Sequence, residues 1–396
     1  MLNNKMLEGI TVIDLSRNLA APFATMLLSD LGAKVIKVEL PETGDDARGY
    51  GPIINGKSGY FMSINRGKKS ITLNLKDPKG KEILEKLLKS ADVMVDNFRP
   101  GVLDRLGLTD ERIQEINPKL IFASLTGFGH TGPYSQKAAY DLVVQGYGGI
   151  MSVTGLPNSE PTRVGVSIGD LAAGLYLATG IASALYARDK TGKGDRIDVA
   201  MLDCQVALLE NSIIRYTASG EIPKPIGNRH ASITPFEMFP SGDGYIIICV
   251  GNEKNWKVLC QVLEAPSLAE DPRFRTNDLR TENHDALFTI LSDILKTKDT
   301  QDWIKQLDLL GVPCGPVNNI QDVVENEQIR ARNMIVSIDY PGIGVVKSPG
   351  CPIKSKEYDI ESNRPSPDLG EDNWDVFSEL GISDAEMAEL KEEKII

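Results

Sequence analysis

The first half of the chain alternates short β-branched, apolar runs with segments of helical periodicity, and this alternation constrains the fold more than any other feature. Strands are predicted at residues 10–15, 33–38, 71–75, 92–98 and 120–125, and helices at 21–31, 79–91 and 109–116. Strands that alternate with helices in this way form a mostly parallel sheet with helices packed on it. The sequence therefore predicts an α/β fold.

The pattern of the sequence changes near Pro223. The run YIIICV at 245–250 predicts a strong strand, and helices are predicted around Trp256, Leu287 and Trp303 and at 321–332. These patterns indicate a smaller α+β domain. A Gly/Pro-rich segment follows Met334, and a final helix is predicted to open with a capping box of Ser383 and Glu386. At 396 residues the chain exceeds one ordinary core, since domains average roughly 150 residues.

The chain is acidic. Asp and Glu number 55 against 43 Lys and Arg, which gives a net charge of −12 and an isoelectric point near 5.0. A field of this sign repels nucleic acid and anionic membrane surfaces, so neither is expected as a partner. An anionic ligand would need a local pocket of Lys and Arg. The five cysteines and three histidines are dispersed, so neither a metal site nor a disulfide framework is predicted.

No segment of the sequence predicts secretion or membrane insertion. The start, MLNNKMLEGITVIDLS, lacks the apolar core and small-residue cleavage site of a signal peptide. The apolar stretch 171–187 is one residue short of the usual threshold for a span and contains Gly174 and Gly180. It is predicted to be a buried helix, and the protein is expected to be cytoplasmic.

The segment GFGHTG at 127–132 fits the G-x-G-x-x-G pattern after a predicted strand. A dinucleotide site needs the last glycine to open a helix whose amides face a pyrophosphate. Here Gly132 is followed by Pro133, and no apolar stripe begins there. The residues favour a glycine-rich turn at a strand end.

The segment GVSIG at 165–169 fits the G-x-S-x-G pattern of a nucleophile elbow, between a predicted strand at 162–166 and an apolar helix. A serine hydrolase would then need a base, and His230 and His284 are the histidines downstream of Ser167. No HGGG-type oxyanion loop precedes it in the sequence. Ser167 is therefore a minor alternative as a nucleophile.

Asp170 follows Gly169 and precedes the apolar run, so it is expected at the N-cap of a helix. Asp is a favoured cap that contributes about 0.5–2 kcal/mol, and from the residues alone this structural role is favoured. A second role uses the same geometry, because the positive helix end would keep the carboxylate ionised and Gly169 would let a substrate approach. An ionised carboxylate in a dry cleft is a nucleophile toward an activated acyl group.

Eight motifs, each weak alone, occur in one order over almost the whole chain. They are LEGITVIDLSRNLAAPFATMLLSDLGAKVIKVE (7–39), NRGKKSITLNLKDPKG (65–80), DNFRPGVLDRLGL (96–108), INPKLIFASLTGFGHTGPY (116–134), GDLAAGLYLATGIASALYARDKTGKGDRIDVAMLD (169–203), GNRHASITPFEMF (227–239), GVPCGPV (311–317) and PSPDLGED (365–372). In this order they make the chain resemble class III CoA-transferases of the CaiB/BaiF type, the family that includes formyl-CoA transferase and the carnitine CoA-transferases.

The resemblance implies that Asp170 is the catalytic nucleophile and that coenzyme A is bound as a substrate rather than as a prosthetic group. The implied CoA-binding residues are Leu19, Ala20, Leu73, Asn74, Leu75, Lys76, Asn97, Phe98, Arg99, Arg105, Ala138, Ala139, Tyr140 and Asp141. Lys and Arg among them suit the phosphates of CoA. From the sequence alone, solvation at the surface explains Arg99 and Arg105 equally well.

The implied reaction moves CoA from an acyl-CoA thioester to a free carboxylic acid, a small mono- or dicarboxylate, through an aspartyl anhydride and an aspartyl-CoA thioester. Amides at the start of the helix are the expected donors to each oxyanion, and neither a metal nor a redox cofactor is expected. Tyr140, Gln145 and His230 are expected to be structural, with a place in the acyl pocket as the alternative.

Two departures from formyl-CoA transferase argue against a formyl or oxalate preference. Leu40 occupies a position where that enzyme has a CoA-contacting arginine. The glycine-only loop that closes over its active site has no counterpart between Gly227 and Gly251.

The nearest rival lies in the same superfamily. α-Methylacyl-CoA racemases pair the equivalent aspartate with a histidine at the position of Tyr140, and a tyrosine of pKa near 10 is a poor partner for two-base proton exchange. Transfer is therefore preferred to racemisation. A CoA-binding protein without activity is the last alternative.

The resemblance also implies the architecture. A large Rossmann-like parallel-sheet domain would be built from both chain ends, with a smaller α+β domain between them. The predicted bounds are 1–225 and 331–396 for the large domain and 226–330 for the smaller one. Two chains are expected to form an interlocked homodimer.

Overall fold

The computed structural model describes residues 4–360 and 363–396. The strands are β1 (Thr11–Asp14), β2 (Lys34–Glu39), β3 (Ile53–Ile54), β4 (Lys57–Ser58), β5 (Lys69–Thr72), β6 (Val93–Asp96), β7 (Ile121–Thr126), β8 (Arg196–Ala200), β9 (Phe236–Pro240), β10 (Tyr245–Cys249), β11 (Cys314–Pro316), β12 (Ile335–Tyr340) and β13 (Gly344–Pro349). The helices are α1 (Ala20–Asp30), α2 (Gly59–Asn65), α3 (Pro78–Ser90), α4 (Val102–Arg105), α5 (Asp110–Ile116), α6 (Asp141–Tyr147), α7 (Ile150–Val153), α8 (Ile168–Thr191), α9 (Met201–Leu208), α10 (Glu210–Ser219), α11 (Glu253–Val262), α12 (Ser267–Glu270), α13 (Asn277–Glu282), α14 (His284–Leu295), α15 (Thr300–Leu309), α16 (Ile320–Glu325), α17 (Glu327–Ala331), α18 (Asn373–Glu379) and α19 (Asp384–Glu392).

Six strands form one sheet in which every neighbouring pair is parallel, in the order β5-β2-β1-β6-β7-β8. Numbered along the chain within this sheet, the order is 3-2-1-4-5-6, which is that of the doubly wound dinucleotide-binding fold. The predicted α/β, Rossmann-like architecture is confirmed. Sheets of this kind bind ligands beyond the carboxyl ends of their strands, at the point where the order reverses. Here that point lies between β1 and β6.

Helices cover both faces of the sheet, and each face has its own core. On one face, Ile13 of β1 and Leu84 of α3 share a buried cluster with Phe377 of α18 and Leu390 of α19. On the other face, α1 and α8 pack against the strands around Leu177. Because the first cluster joins residues from both ends of the chain, the large sheet domain is built from both ends, as expected.

Capping residues explain where two helices begin. Asp77 caps α3 by accepting a hydrogen bond from Lys79 N at 2.8 Å, with Pro78 in the first turn. Ser383 and Glu386 form the predicted capping box at α19. Both starts follow from local sequence, since each cap satisfies amides that the helix itself leaves unpaired.

Two local predictions are wrong, and one hairpin was not predicted. No strand forms at 162–166, where the residues other than Val164 are exposed and pair with no neighbouring strand. The predicted helix at 321–332 is divided at Asn326 into α16 and α17. The segment after Met334, for which only a Gly/Pro-rich composition was noted, forms an antiparallel hairpin of β12 and β13. Gly342 and Gly344 have positive φ values of 78° and 92°, and the turn between β12 and β13 requires them.

The chain divides into two compact units, of which residues 1–3 and 361–362 are not described. The larger comprises Met1–Ile150, Arg163–Ser219 and Gln328–Ile396, and the smaller Met151–Thr162 and Gly220–Glu327. The smaller unit contains the antiparallel sheet β11-β10-β9, and helices pack on it around Trp256 and Trp303. Segment 151–162, which was predicted to lie in the large domain, belongs to this unit. The predicted domain bounds otherwise stay a prediction.

Helix α8 is the only helix in the described ranges 4–360 and 363–396 that is long and apolar enough to cross a membrane by length and composition, with a mean hydropathy of 1.4. Its Leu177 side is buried in the sheet core. The opposite side exposes Leu175, Tyr176 and Tyr186. The predicted buried helix is therefore buried along one face only.

Candidate active site

A cavity of ≈ 240 Å³ lies in the larger unit at the carboxyl ends of β1, β6, β7 and β8. It spans the point between β1 and β6 where the strand order reverses, which is the expected ligand position for this topology. Nine of the predicted site residues line it, namely Leu19, Ala20, Asn97, Phe98, Arg99, Ala138, Ala139, Tyr140 and Asp170.

The loops after β1 and β6 are fixed to each other by Asn97. Its Oδ1 accepts a hydrogen bond from Arg17 N at 2.9 Å, and its Nδ2 donates to Arg17 O at 2.7 Å. The buried Asp96 holds the next residue, because its Oδ1 accepts from Phe98 N at 2.9 Å. Asn97 thus contributes by joining the loops, and the charge that the DNFRPG segment presents in the cavity is that of Arg99.

Gly127 brings the loop after β7 close to the segment before α6. A Cβ at Gly127 would lie 2.4 Å from Ala139 Cβ, so glycine is required for this approach. Gly129 and Gly132 both have φ of 82°, and no helix begins until Asp141. The G-x-G-x-x-G motif is therefore a turn, as predicted, and it seats Ala138, Ala139 and Tyr140 at the cavity.

Asp170 reaches the cavity from the first turn of α8. The helix begins at Ile168, with Ser167 as N-cap and without a side-chain capping bond, so the prediction that Asp170 is the N-cap is wrong. Asp170 is the third helical residue. A Cβ at Gly174 would lie 2.7 Å from Ala20 O, and this glycine therefore lets α8 approach the first turn of α1, which lines the same cavity.

Asp170 is largely buried and carries no compensating cation. In the described ranges 4–360 and 363–396, no Lys, Arg or His lies within ion-pair distance of its carboxylate. Burial, followed by the charge of Asp141, raises the pKa of Asp170 to about 7. This contradicts the expectation that the helix start keeps the carboxylate fully ionised. A carboxyl group with this pKa is not fully ionised at neutral pH.

The amides at the start of α8 are partly occupied, which corrects the expectation that they serve together as oxyanion donors. Ile168 N donates to Val166 O at 2.8 Å, and Gly169 N donates to Asp141 Oδ1 at 2.8 Å. Leu171 N donates to Ser167 O at 2.9 Å. Among the described residues, Asp170 N is the amide of this turn without a recorded partner.

The other predicted CoA-binding residues lie outside the cavity lining. Asp141 is buried behind it, hydrogen-bonded to Gly169, and Arg105 is exposed at the end of α4. Residues 73–76 follow β5 at the same edge of the sheet, two strands from β1. The side chains of Leu73 and Leu75 belong to the core, while Lys76 is exposed. Their contacts with CoA stay a prediction.

Sequence reasoning missed two residues at the site. Lys137 lines the cavity, and its Nζ lies 3.8 Å from the centroid of the Tyr134 ring, which fixes the ammonium beside Ala138. Lys137 directly precedes the implied CoA-binding segment 138–141, and this position in the sequence could have indicated it. Tyr60, the second residue of α2, lies close enough to Asp170 that burial and the Asp170 charge raise the pKa of Tyr60 to about 12. Nothing local in the sequence indicated it.

The two histidines that a serine hydrolase could use as a base have hydrogen-bond partners of their own. His230 Nδ1 accepts from Ser232 N at 3.1 Å, and His284 Nε2 lies 2.8 Å from Glu237 Oε1, both within the smaller unit. Gln145 is fully buried and does not line the cavity. In the part of the chain that the structure describes, no three His, Cys, Asp or Glu side chains are grouped as metal ligands.

Comparison with known proteins gives a consistent result. Residues 7–373 match the model of CoA-transferase family III. The chain is 44% identical to an acetyl-CoA:oxalate CoA-transferase from Acetobacter aceti over 96% of each chain. It is 41% identical to a succinyl-CoA:glutarate CoA-transferase from Homo sapiens, over 98% of this chain and 90% of that one. A crystal structure of a CAIB/BAIF family protein from Brucella suis matches with a TM-score of 0.85 and 42% identity, covering 96% of this chain and 100% of that one.

Proposed function

The chain belongs to CoA-transferase family III and is an enzyme of that family, and from this premise we propose that it moves CoA from an acyl-CoA to a small mono- or dicarboxylate through covalent intermediates on Asp170. One observation carries the residue assignment. Asp170 is a largely buried carboxylate without a counter-ion among the described residues, and it lines the same cavity as Phe98 and Arg99 of the DNFRPG loop.

In the first half of the reaction, an Asp170 carboxylate oxygen attacks the thioester carbonyl of the donor. The carbon–sulfur bond breaks, CoA leaves as a thiolate, and a mixed anhydride between Asp170 and the acyl group remains. The thiolate then attacks the Asp170 carbonyl carbon. The donor acid leaves as a carboxylate, and CoA is now held as an aspartyl thioester.

In the second half, the acceptor carboxylate attacks the aspartyl thioester and expels the CoA thiolate, which gives a new anhydride. The thiolate attacks the acyl carbon of that anhydride, so the new acyl-CoA forms and Asp170 is restored. Each tetrahedral intermediate carries an oxyanion, and the amide of Asp170, which makes no backbone hydrogen bond in the described turn, is proposed as one donor. Water must be excluded because an anhydride hydrolyses readily.

The cavity supplies local positive charge in a protein of net charge −12. Arg99 and Lys137 both line it, and their side chains are exposed at its mouth. Guanidinium and ammonium groups bind phosphates well, so these two residues are proposed to meet the phosphate groups of CoA. The exposed Arg105 and Lys76 are proposed to extend that contact along the sheet edge.

The relatives indicate only the chemical class of the donor and acceptor acids. The two named above act on oxalate and on glutarate with succinyl-CoA. We propose a small dicarboxylate as one of the two acids. Leu40 and the absent glycine loop distinguish the chain from formyl-CoA transferase and argued against oxalate, but a relative that is 44% identical acts on oxalate, so oxalate belongs among the acids to be tested.

The experiment is an exchange assay. The protein is incubated with acetyl-, succinyl-, glutaryl- or oxalyl-CoA and with oxalate, succinate, glutarate or acetate, and new thioesters are identified by mass. The proposal predicts a new thioester without net release of CoA. Hydrolysis without exchange would contradict it, and so would entry of solvent deuterium at the α-carbon of a 2-methylacyl-CoA without exchange, which is the racemase result.

We also propose a cytoplasmic homodimer. The neighbouring helices α6, α8 and α9, and the helix α10 that follows α9 in the chain, expose large apolar side chains, among them Leu142, Tyr186, Leu208 and Ile214. Contiguous apolar surface of this kind typically marks a protein interface, and the family expectation is an interlocked pair. Sedimentation equilibrium should give twice the chain mass of 43.2 kDa at all concentrations, whereas a stable 43.2 kDa species would contradict the dimer.

A further inference from the structure

Two side chains of α6 hold the segment that leads into Asp170. Gln145 is fully buried, its Nε2 donates to Asp141 Oδ2 at 2.7 Å, and its Oε1 accepts from Val164 N at 2.9 Å. Asp141 Oδ1 accepts from Gly169 N at 2.8 Å. These bonds close a ring from Val164 through α6 to Gly169, and segment 164–169 is thus fixed at both ends.

The geometry of α6 makes this ring possible. Asp141 and Gln145 are four residues apart, so their side chains lie on the same face of the helix. Gly169 allows the segment to approach that face, because a Cβ there would lie 2.7 Å from Val144 Cγ2 and 3.0 Å from Asp141 Oδ1. Segment 164–169 contains no regular strand, so these side-chain bonds replace the support that a sheet would give.

The bond to Val164 determines the orientation of the Gln145 amide. Because Val164 N can only donate, the atom that faces it must be the amide oxygen, and the nitrogen must then face Asp141. Both Asp141 oxygens therefore accept hydrogen bonds, which is the pattern that suits an ionised carboxylate. A flipped amide would place donor against donor at Val164.

We propose that Gln145 is a positioning residue for Asp170, acting through Asp141 and the path of segment 164–169. It orients the carboxylate of Asp141 and holds the turn that presents Asp170 to the acyl carbonyl. This inference rests on the proposed function, because the position of Asp170 matters in this way only if Asp170 is the nucleophile.

The test compares two buried glutamines of the larger unit. Gln145→Met removes both hydrogen bonds with little change in volume. Gln205→Met is the matched control, because Gln205 on α9 is also fully buried and its amide has no hydrogen-bond partner within residues 4–360 and 363–396. A displacement of about 1 Å at the reacting carboxylate costs roughly 100-fold in rate, so kcat for CoA exchange should fall about 10–100-fold in Gln145→Met. The KM for the donor acyl-CoA should stay within about threefold, since the CoA loops are untouched.

A second variant keeps the test independent of folding. Gln145→Glu retains the side-chain volume and the acceptor for Val164 N, and it replaces only the donor that faces Asp141. The new carboxyl group faces the Asp141 carboxylate at a buried position, so both kcat and the melting temperature should fall. The kcat is therefore measured at a temperature where circular dichroism shows the variant to be folded. The control Gln205→Met should change kcat by less than about twofold.

Three results would count against the inference. Unchanged kcat in both Gln145 variants would overturn it. The number of active sites is titrated as the CoA adduct, and a fall in that number that accounts for the whole loss in kcat would also overturn it. An equal loss in Gln205→Met would show a general effect of core substitution and overturn it too. If the wild type shows no CoA exchange with any of the acyl-CoA donors tested, the proposed function itself fails, and the inference falls with it.

Discussion

Two buried carboxylates of the larger unit meet opposite surroundings. Asp14, at the end of β1, is fully buried, and Lys68 Nζ lies 3.0 Å from its Oδ2. Burial alone would raise the pKa of Asp14, but Lys68 and Lys37 outweigh it and lower that pKa to about 2. No such counter-ion lies beside Asp170 in the part of the chain that the structure describes, and burial together with the charge of Asp141 raises the pKa of Asp170 to about 7.

The difference teaches what makes a buried carboxylate structural or reactive. Burial is the leading cause at both residues, so burial does not distinguish them. The counter-charge does. The Asp14 cluster also supports the site indirectly, because Lys37 Nζ donates to Ser16 O at 2.6 Å in the loop that continues to Leu19. Asp14 is thus stabilised as an anion that holds a loop, while Asp170 lacks a counter-charge among the described residues, so its anion is less stable and more reactive.

The largest effect is expected from removing the unpaired carboxylate. Asp170→Asn should lower the rate of CoA exchange by at least ~10³-fold, because the amide cannot form the anhydride. Ser167→Ala, three residues earlier and in the same turn, is the matched control and should keep its rate within about threefold. The rates are measured by mass spectrometry of the thioesters. Loss of activity in Ser167→Ala with retention in Asp170→Asn would reverse the assignment.

Removing the cation from the paired site should affect stability. Lys68 Nζ donates to Asp14 Oδ2 at 3.0 Å, to Pro22 O at 3.0 Å and to Asn65 Oδ1 at 2.8 Å. Lys68→Met leaves Asp14 buried without its nearest counter-ion, which should cost about 3–5 kcal/mol in the free energy of unfolding. Urea denaturation measures this cost.

The control for that prediction is Lys394→Met. Lys394 pairs with Glu42 at 2.8 Å, but both side chains are about 70% exposed. Exposed pairs contribute little, so its urea midpoint should stay at the wild-type value. Equal midpoints for Lys68→Met and the wild type would mean that the buried cluster does not need its cation.

Asp170→Asn should also make the protein more stable at neutral pH, by about 1–3 kcal/mol. The pKa of Asp170 is raised in the folded state, so the folded protein favours the protonated form. Well below pH 3.8, the ordinary pKa of Asp, the side chain is protonated in both states, and the variant gains nothing. As the pH rises from there to 7, the wild type loses stability, and above 7 the gain of the variant levels off at its maximum. A gain that is largest at low pH would contradict the raised pKa.

The smallest expected effect is a shift in the pH profile. If Asp170 must be ionised to attack, kcat/KM for the donor should rise with pH around a midpoint of about 7. Asp141→Asn should lower that midpoint but leave it above the ordinary value of Asp, because burial remains the larger cause. The other charged or titratable groups near the carboxylate are Tyr60, Arg99, Lys137 and Tyr140. A flat wild-type profile between pH 5.5 and 8.5 would contradict this account.

The sheet could be predicted because its signals are local. The runs around Ile13, Val35 and Phe122 are β-branched or aromatic and lie between clear helical patterns, so each end of their strands was predicted to within one residue. The hairpin of β12 and β13 was not predicted. Pro341 and Gly342 are typical of a loop, and this signal outweighed the alternating residues on either side of the turn.

The site was predictable in its members and less so in its geometry. Asp170 and the loop of Phe98 and Arg99 are recognisable by motif. The occupied amide of Gly169 is not, because its partner Asp141 lies 28 residues away in sequence and on another helix. The core positions of Leu73 and Leu75 depend on packing against α19, near the other end of the chain. Contacts of this kind are set by tertiary structure, and single-sequence patterns do not contain them.

The central claim is that the Asp170 carboxylate carries the acyl group and then CoA. The most direct measurement is to incubate the protein with donor acyl-CoA and no acceptor acid, quench, digest with trypsin and fragment peptide 164–188, which contains both Ser167 and Asp170. The account predicts the mass of CoA on Asp170, converted to a hydroxamate on the same side chain when hydroxylamine is present. An unmodified Asp170 in protein that still exchanges CoA, or a label on Ser167, would contradict it.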